Sequence, residues 1–416
     1  MKVFKFGGAS VKDANSVRNV LSVLQKVGHQ QTLVVVSAMG KTTNALEVVI
    51  EQYRDENPEL KNTITKLKVE HKTILTDLFE SPQHPIFSKI NAIFDDLALM
   101  LKRNKSPKYD YIYDQVVSYG EIISTTILST YFEFKGIENE WLDARNLIKT
   151  DSTYRDAKVD WEETQSAIIN LVNPKSLTIT QGFIGADTNN FTTTLGREGS
   201  DYSAGIFAYC LNAESVSIWK DVPGVLNGDP RVFDNTILLN QISYEEAIEL
   251  AFYGASVIHP KTLQPLQQKE IPLYVKSFIN PEGVGTTVSK GKTLEPYVPC
   301  FIVKKKQVLI SLSSLDFSFI VEENISEVFS LFHKYQIKVD LIQNSAISFS
   351  VCVDNKFGHI NELIAELKAN FKVSYEENVS LYTIRHFNAE AANTLETGKE
   401  ILLKQLGTET YQIITK

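Results

Sequence analysis

No run in this sequence approaches the ~20 consecutive apolar residues needed to span a bilayer, which excludes a helical membrane protein. The N-terminus enters Lys2-Val3-Phe4-Lys5-Phe6-Gly7-Gly8 directly, without the apolar stretch of a secretory signal. A cytoplasmic protein is therefore expected. Cysteine is scarce: Cys210, Cys300 and Cys352 lie far apart and fit neither a disulfide framework nor a zinc spacing, so each reads as a small core residue. Basic charge is also short. With 42 Lys and Arg against 50 Asp and Glu, the net charge of −8 argues against a nucleic-acid-binding surface, a local basic pocket aside. What is present is a soluble globular composition, 43% hydrophobic and 22% charged, over 416 residues. That length is too great for one ordinary core and implies two or three domains.

The first part of the chain alternates strand and helix signals. Val3 to Phe6 is a short apolar run broken by Gly7-Gly8; Val17, Val20, Leu21 and Leu24 recur at helical spacing; Leu33 to Val36 read as a buried strand. Residues 59 to 104 read as helical throughout, and 113 to 134 as a helix interrupted near Gly120. Further strands are expected at 141–142, 178–184, 216–219 and 273–275. This rhythm implies a mostly parallel sheet with helices on both faces. Turn-rich segments at 280–283 and 289–292 mark a boundary near residue 290. Beyond it the pattern predicts one βαββαβ unit, with strands at 307–313, 337–342, 346–353 and 371–375 and helices at 323–335 and 358–369. A partial second round follows, with strand 378–386, helix 391–406 and strand 409–415. Its unpaired edge and small core imply support from a neighbour or a partner chain.

Several strand-following turns carry chemistry-bearing residues. Thr178 to Ile184 runs into glycines and then, past a polar segment, into Gly196, Arg197, Gly199, Ser200 and Asp201, where a helical pattern begins. Free backbone N–H groups at a helix start hold anions, and the Arg197 fork suits a carboxylate. Lys5 before Gly7-Gly8 could neutralise a phosphate, although alone it reads more readily as an ordinary turn and is no Walker loop. Ser37 to Asn44 reads either as a ligand-facing crevice or as a helix cap by Thr42 or Thr43. Glu121, beside Gly120, is either solvated or aimed at a substrate ammonium. Trp219 to Arg231 is either a plain turn or a nucleotide platform, and His259 reads as structural. The conjunction of these turns on one sheet edge, bringing together Lys5, Arg197, Glu121 and Asp201, is more specific than any one of them.

Lys5-Phe6-Gly7-Gly8-Ala9-Ser10-Val11, Ser118-Tyr119-Gly120-Glu121, Thr193 to Asp201, Trp219 to Gly224 and Gly254 to Pro260 occur in this order. Together they resemble the aspartate kinases of the amino-acid kinase fold. The resemblance covers residues 1 to about 290, and the C-terminal units resemble that family's ACT regulatory domains. It implies an amino-acid kinase domain at 1–290, an ACT-like domain at 296–376 and a partial one at 377–416. It further implies ATP-dependent phosphorylation of the L-aspartate β-carboxylate to 4-phospho-L-aspartate, the first step toward lysine, threonine and methionine.

By position in these motifs, Lys5 and Asp201 are the implied catalytic pair, and Ser37, Thr43, Glu121, Arg197 and Ser200 the substrate-binding residues. Lys5, Gly7, Gly8, Lys220, Asp221, Asn227, Arg231 and Ser256 fall on the ATP side. Mg²⁺ is implied on the ATP phosphates, with no dedicated protein ligands. Val339, Asp340 and Ser345 match an effector strand, which implies an amino-acid effector, lysine or threonine. A homodimer or higher homo-oligomer through the ACT-like region is expected. Glu198 stands where the family often has a small residue, and Ser256 where many members carry a lysine. Asn344-Ser345-Ala346 departs from the family's Thr-Ser-Glu. No homoserine dehydrogenase region is present, so a monofunctional enzyme is expected. Two other readings stand beside this one: another carboxylate acceptor, and a catalytically weakened amino-acid sensor.

Overall fold

The computed structural model describes residues 1–255, 258–316, 318–356 and 358–416. The chain forms two compact units, one of Met1–Val225, Leu238–Ile248 and Val257–Glu295, the other of Leu226–Ile237, Glu249–Ser256 and Pro296–Lys416. The first unit contains strands β1 (Lys2–Phe6), β2 (Thr32–Val36), β3 (Glu140–Leu142), β4 (Leu177–Gln181), β5 (Ile184–Ala186), β6 (Thr192–Thr194), β7 (Ser215–Lys220), β8 (Gln241–Ser243), β9 (Leu273–Ser277) and β10 (Thr286–Ser289). Eight of them form one sheet in the order β3-β4-β2-β1-β7-β9-β10-β8, while β5 and β6 make a separate hairpin. Neighbours in the sheet are parallel except β9 with β10. The central strands are buried along nearly their whole length, as strands covered by helices on both faces must be.

The parallel register aligns Gln181, Val36, Phe6 and Trp219 at the strand ends. The loops that follow four adjacent strands therefore open side by side, the usual ligand-binding edge of such a sheet. Leu21 and Leu24 of the helix Ala14–Val27, Leu46 and Val49 of Thr42–Arg54, and Ile123 and Ile127 of Tyr109–Phe134 pack with Phe4, Phe6, Val34 and Val36 in one core. At about 1.5–3 kcal/mol per buried large apolar side chain, this packing holds the loop edge rigid.

Two helical expectations in the first unit are corrected. Residues 59 to 104 form two helices, Leu60–Leu78 and Pro85–Arg103. Pro85 cannot continue a helix but suits its first turn, where the His84 ring accepts from the Ile86 N–H. The helix Tyr109–Phe134 runs through Gly120 without interruption. A Cβ there would lie 2.9 Å from that of Ala38, so the glycine allows close packing and does not break the helix. His259 caps the helix Pro260–Gln268 through its ring, a structural role.

The second unit contains β11 (Cys300–Ser313), β12 (Lys338–Asn344), β13 (Ser348–Asp354), β14 (Lys372–Arg385), β15 (Ile401–Leu406) and β16 (Thr410–Thr415). They form an antiparallel sheet in the order β12-β13-β11-β14-β16-β15. With the helices Glu322–Lys334 and Ile360–Leu367, β11 to β14 make the expected βαββαβ unit. The expected helix 391–406 is corrected to a shorter helix, Ala389–Glu396, followed by β15. Ile401-Leu402-Leu403-Lys404-Gln405-Leu406 has helix-forming composition, but pairing with β16 makes it a strand. The last part of the sheet gains a strand, β15, that the sequence pattern does not predict. β11 and β14 are 14 residues each and pair from Cys300↔Arg385 to Ser313↔Lys372, so both run through both halves of the sheet. All three cysteines are buried.

Candidate active site

β1 places Lys5 at the centre of the sheet, nearly buried. Its Nζ lies 2.6 Å from Asp201 Oδ1, and Lys220 Nζ, at the end of β7, lies 3.7 Å from Asp201 Oδ2. Asp201 sits in the first turn of the helix Gly199–Leu211, whose amide dipoles favour negative charge at that end. Burial alone would push its carboxyl up; Lys5 and then Lys220 overcome that and hold it below the usual carboxylate range. Gly7 leaves room for the Lys5 ammonium, since a Cβ there would lie 3.3 Å from Nζ. At Gly8 a Cβ would come within 2.8 Å of the Ala38 carbonyl, and Gly40 N–H donates to the Gly8 carbonyl at 3.0 Å. Gly182 admits Ser200, whose Cβ would be 2.6 Å from a side chain there. Backbone therefore approaches backbone around two paired ammonium groups, a cradle suited to phosphate oxygens.

On the other side of the Ser37–Gly40 turn lies Glu121. It is fully buried, its Oε1 accepts from the Ala38 N–H at 3.3 Å, and its Oε2 has no partner. Burial pushes its carboxyl up to about 8. Ser37 and Thr43 are half-buried beside it in sequence with Ala38, Thr43 in the first turn of the helix Thr42–Arg54. Thr42 is buried and bonds to the His71 ring at 3.3 Å. Arg197 is exposed on a loop that turns at Gly196 (φ +80°). A Cβ at Gly196 would meet the Asp156 carboxylate, which pairs with Lys261. Glu198 occupies the left-handed region (φ +54°) at the helix start, and one of its carboxylate oxygens is buried without a partner. Burial and then Asp201 push its carboxyl up, against Lys220, Arg197 and Lys5.

The fold thus gathers Lys5, Gly7, Gly8, Ser200, Asp201 and Lys220 into one cluster and sets Ser37, Thr43 and Glu121 around the next turn. Asp221 is exposed directly after β7. Asn227 and Arg231 belong to the second unit. The Asn227 side chain is committed at both ends, donating to the Pro299 carbonyl at 2.9 Å and accepting from the Ile237 N–H at 2.6 Å. Arg231 forks onto Asp229 at 2.8–3.2 Å. Ser256 lies outside the described residues. In the second unit the Asp340 side chain on β12 is 3% exposed and pairs with Lys304 at 2.8 Å and Lys338 at 3.4 Å. Val339 is half-buried, and the Ser345 hydroxyl bonds to that of Ser348 at 2.7 Å. Sequence reasoning missed two buried polar side chains of the first unit, Asp114 and Gln181. Gln181 accepts from the Ala144 N–H and donates to Thr125, each at 2.7 Å.

The chain belongs to the amino acid kinase family, whose sequence model matches residues 1–277. It is 29% identical to the lysine-sensitive aspartokinase 3 of Escherichia coli over 96% of this chain and 89% of that protein. Solved structures of the E. coli aspartokinase III superpose over the whole chain. One, in complex with aspartate and ADP (R-state), gives a TM-score of 0.83 at 27% identity over 96% of its length. Another, with lysine and aspartate (T-state), gives 0.82 at 29% over 95%. The chain is also 28% identical, over 89% of its own length, to the bifunctional aspartokinase/homoserine dehydrogenase 2 of Arabidopsis thaliana, of which it spans 42%.

Proposed function

We propose that this chain is an aspartate kinase, transferring the ATP γ-phosphoryl group to the β-carboxylate of L-aspartate. One observation carries the reading: the Lys5–Asp201–Lys220 cluster, built around the buried Asp201 carboxylate, lies at a glycine-lined helix start, with Glu121, a buried carboxylate with an unused oxygen, beyond the Ser37–Gly40 turn. The nucleophile is a carboxylate ionised at neutral pH, so no general base is needed. The barrier lies in bringing two anions together in line and stabilising charge that spreads over the transferring phosphoryl oxygens. Lys5 supplies a fixed cation for that charge, and Asp201 holds the Lys5 ammonium in place. Gly7 and Gly8 admit the phosphates to backbone N–H groups, with Lys220 and Asp221 at the nucleotide side. Arg197 takes a carboxylate of the amino acid, Glu121 its α-ammonium, and Ser37, Thr43 and Ser200 add hydrogen bonds.

Among the described residues no group of three or more His, Cys, Asp or Glu side chains could hold a metal. Mg²⁺ would be carried on the ATP phosphates and waters, with Asp201 reaching it through water. Bound there, the ion would neutralise phosphate charge. ADP release measured over aspartate, glutamate and N-acetylglutamate tests the acceptor; absence of a preference for aspartate would sink the reading. The weakened-sensor alternative is not supported, since Lys5 and Asp201 are present and paired.

Regulation through the ACT-like unit is the narrower part of the proposal. Asp340 on β12 is the carboxylate an effector ammonium would seek, but Lys304 and Lys338 already neutralise it. Lysine or threonine must compete with those internal ammonium groups, and calorimetry with each amino acid decides between them. We place assembly in the same unit, as a homodimer or larger homo-oligomer, because its sheet ends in the strands β12 and β15, with Ile342 and Leu406 exposed. A monomer mass by light scattering at micromolar concentration would refute it. No described helix is long and apolar enough to cross a membrane, and we place the enzyme in the cytoplasm; fractionation checks this.

A further inference from the structure

We infer that Asp114 is a positioning residue for the amino-acid site: it fixes the loop of Arg197 to the helix that carries Glu121. In doing so it sets the distance between the two groups assigned to the substrate's charged ends. The inference rests on the proposed aspartate kinase reading.

Asp114 precedes Glu121 by seven residues on the helix Tyr109–Phe134. Seven residues return to nearly the same helix face and rise about 10 Å. The Asp114 side chain is fully buried and receives N–H and O–H donors from two other segments. Thr194 gives its N–H to Oδ2 and its hydroxyl to Oδ1, both at 2.8 Å. The Arg155 N–H approaches both oxygens, at 3.0 and 3.2 Å. It is the Arg155 backbone that reaches Asp114, while its guanidinium stacks over Tyr109 and Tyr113.

These two segments are the ones that shape the Arg197 loop. Thr194 ends β6, two residues before Gly196 and three before Arg197. Asp156, next to Arg155, fills the space where a side chain at Gly196 would stand, and the Ala157 N–H donates to the Thr194 carbonyl at 2.9 Å. β6 is three residues long and, among the described residues, pairs only with β5, in a two-stranded hairpin. Such a hairpin is marginally stable by itself, so its register and the direction of the loop beyond it depend on an outside anchor. A carboxylate supplies that anchor because one group can accept from several backbone and hydroxyl donors at once. An amide in its place would turn an N–H toward an N–H.

The test is steady-state kinetics of the wild type, Asp114→Asn and Thr194→Val with both substrates varied, and thermal unfolding followed alongside. The expected result for Asp114→Asn is an aspartate KM raised about tenfold or more, the scale of one lost charge-assisted contact at the site, with the ATP KM within about twofold. Thr194→Val, which removes only the hydroxyl donor, should shift the aspartate KM the same way by about threefold. A merely structural role would move both KM values together or neither, and either outcome overturns the inference. Should Asp114→Asn fail to fold, the same split in Thr194→Val decides. A wild type without aspartate-dependent ADP release overturns the parent reading and this inference together. Normal wild-type kinetics with unshifted variants overturn the inference alone.

Discussion

Glu121 has an oxygen to spare, and that has consequences for pH. Burial pushes its carboxyl up to about 8, against its own backbone N–H and that of Ala38, which favour the ionised form. In the free enzyme at pH 7 it is therefore mostly protonated, and a bound α-ammonium would restore the ionised form. Aspartate binding at pH 7 should release close to one proton from this group. Calorimetry in buffers of different ionisation enthalpy measures this; release unchanged in Glu121→Gln would disprove the assignment. The same shift sets a stability trend. Because the folded pKa lies above the unfolded value of 4.5, ionising Glu121 costs the folded state nothing below pH 4.5. The cost grows as pH rises through that window and is complete above pH 8, with an upper bound on the order of 5 kcal/mol. Glu121→Gln should thus be more stable than the wild type at pH 9, and the gap should close toward pH 4.5.

The start of the helix Gly199–Leu211 shows how far an element could be read in advance. Its glycines, Ser200 and Asp201 followed a β-branched run, and that juxtaposition was legible because anion-binding helix starts need small residues there. Lys5 and the Ser37 turn were legible because they sit at the ends of apolar strand runs broken by glycine or small residues, and Glu121 because it stands beside Gly120. Asp114 was not. In Tyr109-Asp110-Tyr111-Ile112-Tyr113-Asp114 it looks like any solvated helix carboxylate, and only its register against β6 reveals it. β15 was illegible because leucine, lysine and glutamine carry no strand signal without β16 beside them.

Glu198 is the element's anomaly, a non-glycine residue at φ +54° with a buried, unpartnered oxygen. A left-handed conformation costs a side-chain-bearing residue about 1–2 kcal/mol, and a second carboxylate beside Asp201 weakens an anion site. Glu198→Gly should therefore raise the unfolding free energy by about 0.5–1 kcal/mol after the entropy cost of glycine. It should also lower the ATP KM several-fold. Thermal unfolding and nucleotide titration measure both; a variant less stable and weaker for ATP would mean that Glu198 anchors Lys220 instead.

The chain as a whole does not respect the boundary that its composition suggests near residue 290. Leu226–Ile237 and Glu249–Ser256 lie inside the kinase-like sequence yet belong to the second unit. Their ties there are specific. The Asn227 side chain bonds to the Pro299 carbonyl, and the Phe301 N–H donates to the Asn227 carbonyl at 2.6 Å. Phe233 packs on Phe301 with ring centroids 5.4 Å apart, and Arg385 pairs with Glu249 at 3.1 Å and Glu409 at 3.2 Å. Lys304, already paired with Asp340, donates to the Phe252 carbonyl at 3.2 Å, near the end of the helix Tyr244–Tyr253. A cation at helix-terminal carbonyls is favourable, and Gly254 leaves space for the Lys304 stem where a Cβ would come within 2.8 Å.

Nothing in the local sequence of 226–256 tells which unit it packs on, because turn-rich loops and a short amphipathic helix suit either. The consequence is testable by dissection. A fragment of residues 1–290 keeps every strand of the eight-stranded sheet but strips 226–237 and 249–256 of their partners, exposing Phe233 and leaving Glu249 without Arg385. It should unfold with lower cooperativity than the full chain, bind a hydrophobic dye, and lose most ADP-release activity. A fragment of 296–416 loses the same contacts from the other side and should expose the Phe301 face. Residues 226–237 and 249–256 stay part of the 1–290 fragment, so adding the 296–416 fragment restores their contacts only by association, and recovery of activity should be partial. A 1–290 fragment with a sharp unfolding transition and full aspartate-dependent turnover would show instead that the two inserted segments are passengers, and that the kinase-like unit is complete without the contacts described for them.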